Sequence, residues 1–144
     1  MDQLTVVGWR EIVSLPELGL EGIKAKVDTG ARTSALHAFD IERFQKDGQE
    51  WLTFKTHPVQ HTRKPVISCE ARLQDERVVT DSGDHREKRF VIETPIEVGE
   101  KTWRVEVTLT DRKNMKFRML LGRHAMRGKI TVDPARSYLT TLDK

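Results

Sequence analysis

Hydrolysing a peptide bond without a metal or a covalent nucleophile requires an activated water, and two carboxylates held close together can supply it. Like charges at that range cannot both ionise easily, so the pair shares one proton. One carboxylate takes a proton from water while the other donates to the carbonyl oxygen. The run Ala25-Lys26-Val27-Asp28-Thr29-Gly30-Ala31 offers one such carboxylate, Asp28, where a β-leaning segment enters a turn. Gly30 lets that turn close tightly, and the Thr29 hydroxyl can hydrogen-bond across the site. Far downstream, Met119-Leu120-Leu121-Gly122-Arg123 provides an apolar run, a glycine and an arginine.

Other residues compete for a chemical role. Asp81-Ser82-Gly83 is a variant of the same triplet and follows the strand-like Val78-Val79-Thr80. It offers a second aspartate within one chain. The simpler reading is a hairpin tip, in which Ser82 and Gly83 belong to a flap closing over substrate. Arg32 and Arg123 are placed to hold a substrate carboxylate by paired hydrogen bonds, or to brace the loop through backbone carbonyls. Ser34 and His37 lie close in sequence, but no Gly-x-Ser-x-Gly surrounds Ser34. His57 and His61 are four apart, yet Pro58 opposes a helix presenting both. No His-Glu-x-x-His occurs, Cys69 has no Cys-x-x-Cys partner, and no Gly-x-x-x-x-Gly-Lys-Ser/Thr loop is present. No metal ligand set and no cofactor are therefore expected.

Short β-type runs separated by turn signals must position these groups. They are Leu4–Val7, Glu11–Leu15, Ile23–Asp28, Trp51–Thr56, Val66–Leu73, Arg77–Thr80, Arg89–Thr94, Ile96–Val98 and Trp103–Leu109. Asp47-Gly48, Ser82-Gly83-Asp84 and Gly99-Glu100 read as turns between them. The alternation of Val105, Val107 and Leu109 with Arg104, Glu106 and Thr108 is that of a half-buried strand. The pattern predicts an all-β barrel or sandwich with one short helix, His124–Arg127, closed by Gly128. Trp9, Trp51 and Trp103 read as core or barrel-edge residues.

The 144 residues favour a single domain spanning 1–144. No apolar run approaches the ~20 residues needed to cross a bilayer, and the N-terminus lacks a basic start followed by an apolar segment. With Cys69 as the sole cysteine, these features point to the cytoplasm and away from a membrane. The net charge of +3 is unevenly spread: residues 101–129 carry nine Lys or Arg against Glu106 and Asp111. Such a strip either attracts an anionic partner or is simply a solvated face. Its aromatics, Trp103 and Phe117, are too few for a stacking platform, so nucleic acid is not the expected ligand.

The chain resembles the retropepsin-type acid proteases, and more closely the bacterial retropepsin-like family called ATP-dependent zinc proteases. Val7-Gly8-Trp9-Arg10-Glu11, Leu15-Pro16-Glu17-Leu18, Ala25–Ala38 and Arg112–Gly128 carry the resemblance, with Ser82-Gly83 and Arg89 between them. It implies a closed acid-protease barrel, Asp28 as the catalytic aspartate with Thr29 and Gly30 shaping its loop, and Leu120, Leu121 and Gly122 packed behind that loop. One Asp-Thr-Gly per chain then implies a homodimer in which two copies of Asp28 meet. The resemblance also implies a functional link to ATP-grasp ligases that add glutamates to proteins. The zinc and ATP of the family's label find no support in the residues. Arg32 stands where retropepsins often carry an acid that pairs with the arginine after the glycine, and Arg32 with Arg123 cannot make that pair. The expectation is an aspartic-type peptidase acting on an acidic, glutamate-rich peptide or protein. Its alternative is a binding module of the same fold that grips acidic protein tails without cutting them.

Overall fold

The computed structural model describes residues 4–59, 65–80, 83–111 and 116–140. Its strands are β1 (Thr5–Val7), β2 (Arg10–Leu15), β3 (Leu20–Val27), β4 (Ser34–His37), β5 (Phe39–Lys46), β6 (Gln49–Thr56), β7 (Ile67–Thr80), β8 (Arg86–Val98), β9 (Lys101–Thr110), β10 (Met119–Leu121) and β11 (Ile130–Val132). A 3-10 turn, Pro16–Leu18, joins β2 to β3, and the short helix α1 is Arg123–Met126.

Six strands close on themselves in the order β2-β3-β10-β4-β9-β8, and the circle is completed where Ser14 of β2 pairs with Glu97 of β8. The sheet is mixed: β10 runs parallel to β3 and antiparallel to β4, and β4 runs parallel to β9. From β8 the sheet also continues outward as an antiparallel meander through β7, β6 and β5. β1 and β11 form a separate parallel pair. This is the closed all-β barrel that the resemblance implies, with the one short helix near the C-terminus that the sequence pattern predicts.

Alternation places the core. Glu11, Val13 and Leu15 of β2 point inward, and Leu20, Ile23, Ala25 and Val27 of β3 are buried beside them. Between Leu20 and Ile23 the inward phase would be lost, because those residues are three apart. An extra residue on β3 restores it: Val13 pairs with Ile23 but Leu15 pairs with Leu20. Gly22 takes up that bulge at φ 69°, a left-handed backbone that glycine adopts freely. Leu36, Ile92, Ile96, Val107, Met119 and Leu121 fill the barrel interior, all fully buried. Each such side chain contributes about 1.5–3 kcal/mol by leaving water. Asp47 and Gly48 turn β5 into β6, both at positive φ as a two-residue hairpin loop requires.

The elements depart from the sequence expectation in several places, among them β10 and β11, where no strand was expected, and α1, which begins one residue earlier than expected. β4 and β5 fall in a stretch where no strand was expected. β7 is one continuous strand where Val66–Leu73 and Arg77–Thr80 were expected separately. β8 likewise runs unbroken through Pro95. It leaves β7 after Ile92 and meets β2 only at Glu97, so Pro95 sits in a gap where a missing N–H is tolerated.

Candidate functional site

Asp28 stands immediately after β3 and is half-buried. Its own N–H donates to the Leu121 carbonyl at 2.9 Å, which extends the β3–β10 ladder by one residue. The Gly30 N–H donates to Asp28 Oδ1 at 2.9 Å, and the Ala31 N–H donates to the Asp28 carbonyl at 3.2 Å. A Cβ at position 30 would lie 3.2 Å from Asp28 Oδ1, so glycine lets the backbone reach the carboxyl. Thr29 and Gly30 are exposed.

The segment from β10 to α1 supports the loop from behind. The Gly122 N–H donates to Ser34 Oγ at 2.9 Å, and the N–H groups of Arg123 and His124 donate to the carbonyls of Ala31 and Arg32 at 2.7 and 3.0 Å. Contact at Gly122 is very close, since a Cβ there would lie 2.5 Å from the Thr33 carbonyl carbon. Ser34 thus serves the loop backbone.

Beside the loop lies a cleft of about 650 Å³. Residues Gly30 to Thr33, with Ala35, form one wall, and Arg77 to Thr80 of β7 form another. Arg89, Glu106, Thr108, Leu120 and His124 complete it. Arg77 donates from Nη1 and Nη2 to the two oxygens of Glu106 at 2.9 and 3.0 Å, and from Nε to Asp75 Oδ2 at 2.9 Å. The hydrogen bond from Arg77 holds the Asp75 carboxyl below the usual range, and the two acids hold the guanidinium further above its own. Arg89, its side chain only 12% exposed, donates to Glu87 at 2.9 Å and faces the Thr108 hydroxyl at 3.4 Å.

The expected substrate residues fall in different places. Arg32 is exposed and lines the cleft. Arg123 is exposed and donates from Nη1 to the Thr29 carbonyl at 3.2 Å, bracing the loop. Gly83 lies in the exposed turn between β7 and β8. Asp81 and Ser82, and with them the reading of a second aspartate, lie outside the described residues. Arg77 and Glu106 were given no chemical role from sequence, and Arg89 only a place in the family resemblance. The available signal was Glu106, an acid on the outward phase of a strand within the basic strip.

Among the described residues, no three His, Cys, Asp or Glu side chains converge as a metal site would require. His37 and His57 are stacked, with ring nitrogens 3.0 Å apart, and Phe39 stacks on both. Cys69 is buried with Sγ directed at the Leu18 carbonyl, and burial pushes its thiol up to about 11, away from the thiolate that a metal binds. These residues do not fit a zinc centre, and no step is assigned to one.

The chain is similar over residues 6–142 to the family model RimB-like, described as the retropepsin-like aspartic endopeptidase RimB. It is 46% identical over 130 residues to a probable alpha-L-glutamate ligase of Desulfotalea psychrophila, a match covering 90% of this chain and 28% of that protein. A probable alpha-L-glutamate ligase of Shewanella pealeana is 44% identical over 137 residues, covering 95% of this chain and 30% of that protein. The chain therefore spans less than a third of the length of these curated relatives. Among solved structures, a Legionella pneumophila protein of unknown function in the DUF785 group superimposes with a TM-score of 0.81 at 30% identity, covering 96% of this chain and 100% of that one. With a barrel, an Asp-Thr-Gly loop and a family match that all run along the same chain, this protein belongs to the RimB-like family of retropepsin-like aspartic endopeptidases.

Proposed function

We propose that this chain is an aspartic-type endopeptidase that cuts acidic, glutamate-rich peptides, with its second carboxylate supplied by Asp28 of another copy. The observation that carries the reading is the Asp28 loop itself. A carboxyl oxygen is fixed by the Gly30 N–H, on a loop whose wall opens onto a cleft edged by Arg32, Arg77, Arg89 and His124. Exposed Thr29 and Gly30 leave the loop open to a second copy. Across a two-fold axis, the two carboxyls would share a proton and hold a water between them. One accepts a proton as the water oxygen attacks the peptide carbonyl carbon, and the other protonates the carbonyl oxygen. Collapse of the tetrahedral intermediate breaks the C–N bond, and the departing amine takes up a proton from the pair.

The cations of the cleft wall suit a substrate rich in carboxylates. Relatives that are probable alpha-L-glutamate ligases support a working link to a ligase that adds glutamates. A second reading, a module that binds acidic tails without cutting them, draws on the single Asp-Thr-Gly of the chain, which leaves a lone copy with half a catalytic pair.

The test compares wild type with Asp28→Asn on a glutamate-rich peptide and on a mixed peptide library. Wild type is expected to cut the acidic peptide preferentially, and Asp28→Asn to lose about 10²–10⁴-fold in rate while still binding it. Cleavage that survives in Asp28→Asn contradicts the aspartic mechanism. Binding by both forms with cleavage by neither supports the second reading.

A further inference from the structure

Among the described residues lining the cleft, Glu106 is the sole acid. It does not sit there as a loose counter-charge. Both of its oxygens are seated in the planar fork of Arg77, at 2.9 and 3.0 Å, with the two side chains 33% and 38% exposed. A glutamate side chain thus already occupies the cleft in the bidentate geometry that guanidinium offers to any carboxylate. We propose that Arg77 is a specificity-determining subsite for a glutamate side chain of the substrate, and that Glu106 is a built-in placeholder that yields the fork when substrate enters. This rests on the reading that acidic peptides occupy this cleft.

Three features make the exchange workable. First, it swaps one carboxylate for another, so the buried part of the fork is never left with an unpaired cation. A neutral side chain offers no such swap and would leave Glu106 in place. Second, Arg77 keeps its orientation during the exchange, because Nε remains bonded to Asp75 at 2.9 Å, outside the cleft lining. Third, Glu106 has somewhere to go. It and His124 also border a second, smaller cleft of about 250 Å³, whose lining includes Arg127 and Lys129. Both are exposed, and among the described residues neither takes part in an ion pair within the chain. A Glu106 side chain displaced from Arg77 can turn toward these cations.

The experiment uses labelled hexaglutamate and hexaglutamine on the full chain carrying Asp28→Asn, so that binding is read without cleavage. Fluorescence anisotropy gives the two dissociation constants, and thermal melts confirm folding of each variant. Adding Glu106→Gln, which keeps the shape but offers the fork one neutral acceptor in place of two charged ones, is expected to tighten hexaglutamate about tenfold and leave hexaglutamine unchanged. Adding Arg77→Met is expected to erase the preference for hexaglutamate, and Arg77→Lys, which keeps charge but not the fork, to retain only part of it. If Arg77→Met fails to fold, Glu106→Gln decides alone. Hexaglutamate preferred by the parent but unaffected or weakened by Glu106→Gln overturns the placeholder, with the acidic-substrate reading intact. No preference in the parent removes that reading and this inference together.

Discussion

At the residue scale, the site is organised by groups whose surroundings decide what they do. Asp28 receives an N–H from Gly30, two residues on, so its orientation is a property of the loop backbone. Cys69 shows the opposite use of a reactive group. Burial raises its thiol from the ordinary 9.0 to about 11, which makes it a packing residue. Because the folded protein holds that proton more tightly than the unfolded chain, the associated stability is fully present below the ordinary thiol range. It is lost as pH rises through about 11. Folded protein is therefore expected to resist thiol alkylation at pH 8 and to react promptly once denatured, with stability in urea falling from pH 9 upward. Rapid alkylation of the native protein contradicts the burial argument.

At the element scale, two crossings hold the site in place. β10 lies between β3 and β4, and Gly122 at its end presses against Thr33. Gly122→Ala puts a methyl group 2.5 Å from backbone. It is expected to cost about 1–3 kcal/mol in urea unfolding and to displace the Asp28 loop, so activity falls with stability. The second crossing runs through Glu11, fully buried, whose oxygens accept from the N–H groups of Gly8, Leu139 and Thr140 and from the Thr140 hydroxyl at 2.7–3.0 Å. These bonds tie β2 to the segment after β11. Glu11→Ala leaves those donors without their acceptor and is expected to destabilise by about 3 kcal/mol, read as a lower urea midpoint. A change under 0.5 kcal/mol, roughly the level of a surface substitution, contradicts that role. Strands were legible where one face meets the core, as in β6, where Leu52, Phe54 and Thr56 are buried in alternation. β4 was not, because Ser34, Ala35, Leu36 and His37 are all buried and show no period of two. β5 is an exposed edge with an irregularity between Phe39 and Glu42, which breaks its pattern. The Asp-Thr-Gly turn was readable because turn chemistry is local, whereas the packing of β10 behind it, about 90 positions on, was what the family resemblance implied. Arg77 of β7 and Glu106 of β9 lie 29 positions apart, on strands separated by β8, and meet only once the β7-β8-β9 meander has formed.

At the scale of the whole molecule, the proposed catalytic pair requires two chains. The barrel presents one Asp28 loop, with Thr29 exposed beside a half-buried carboxyl. Arg32 on that loop is also exposed, so two such faces bring cations together, and carboxylates of a substrate offset them. The measurement that bears most directly on the central claim is a mixing experiment. Wild type is held at constant concentration, Asp28→Asn is added and equilibrated, and cleavage of a glutamate-rich peptide is followed. If the catalytic pair takes one Asp28 from each copy, mixed dimers carry a single carboxyl and are inactive. Activity then falls to about half when the two forms are equal and continues downward as Asp28→Asn is added. Activity that stays constant as the inactive form accumulates contradicts the shared pair and places the chemistry within a single chain.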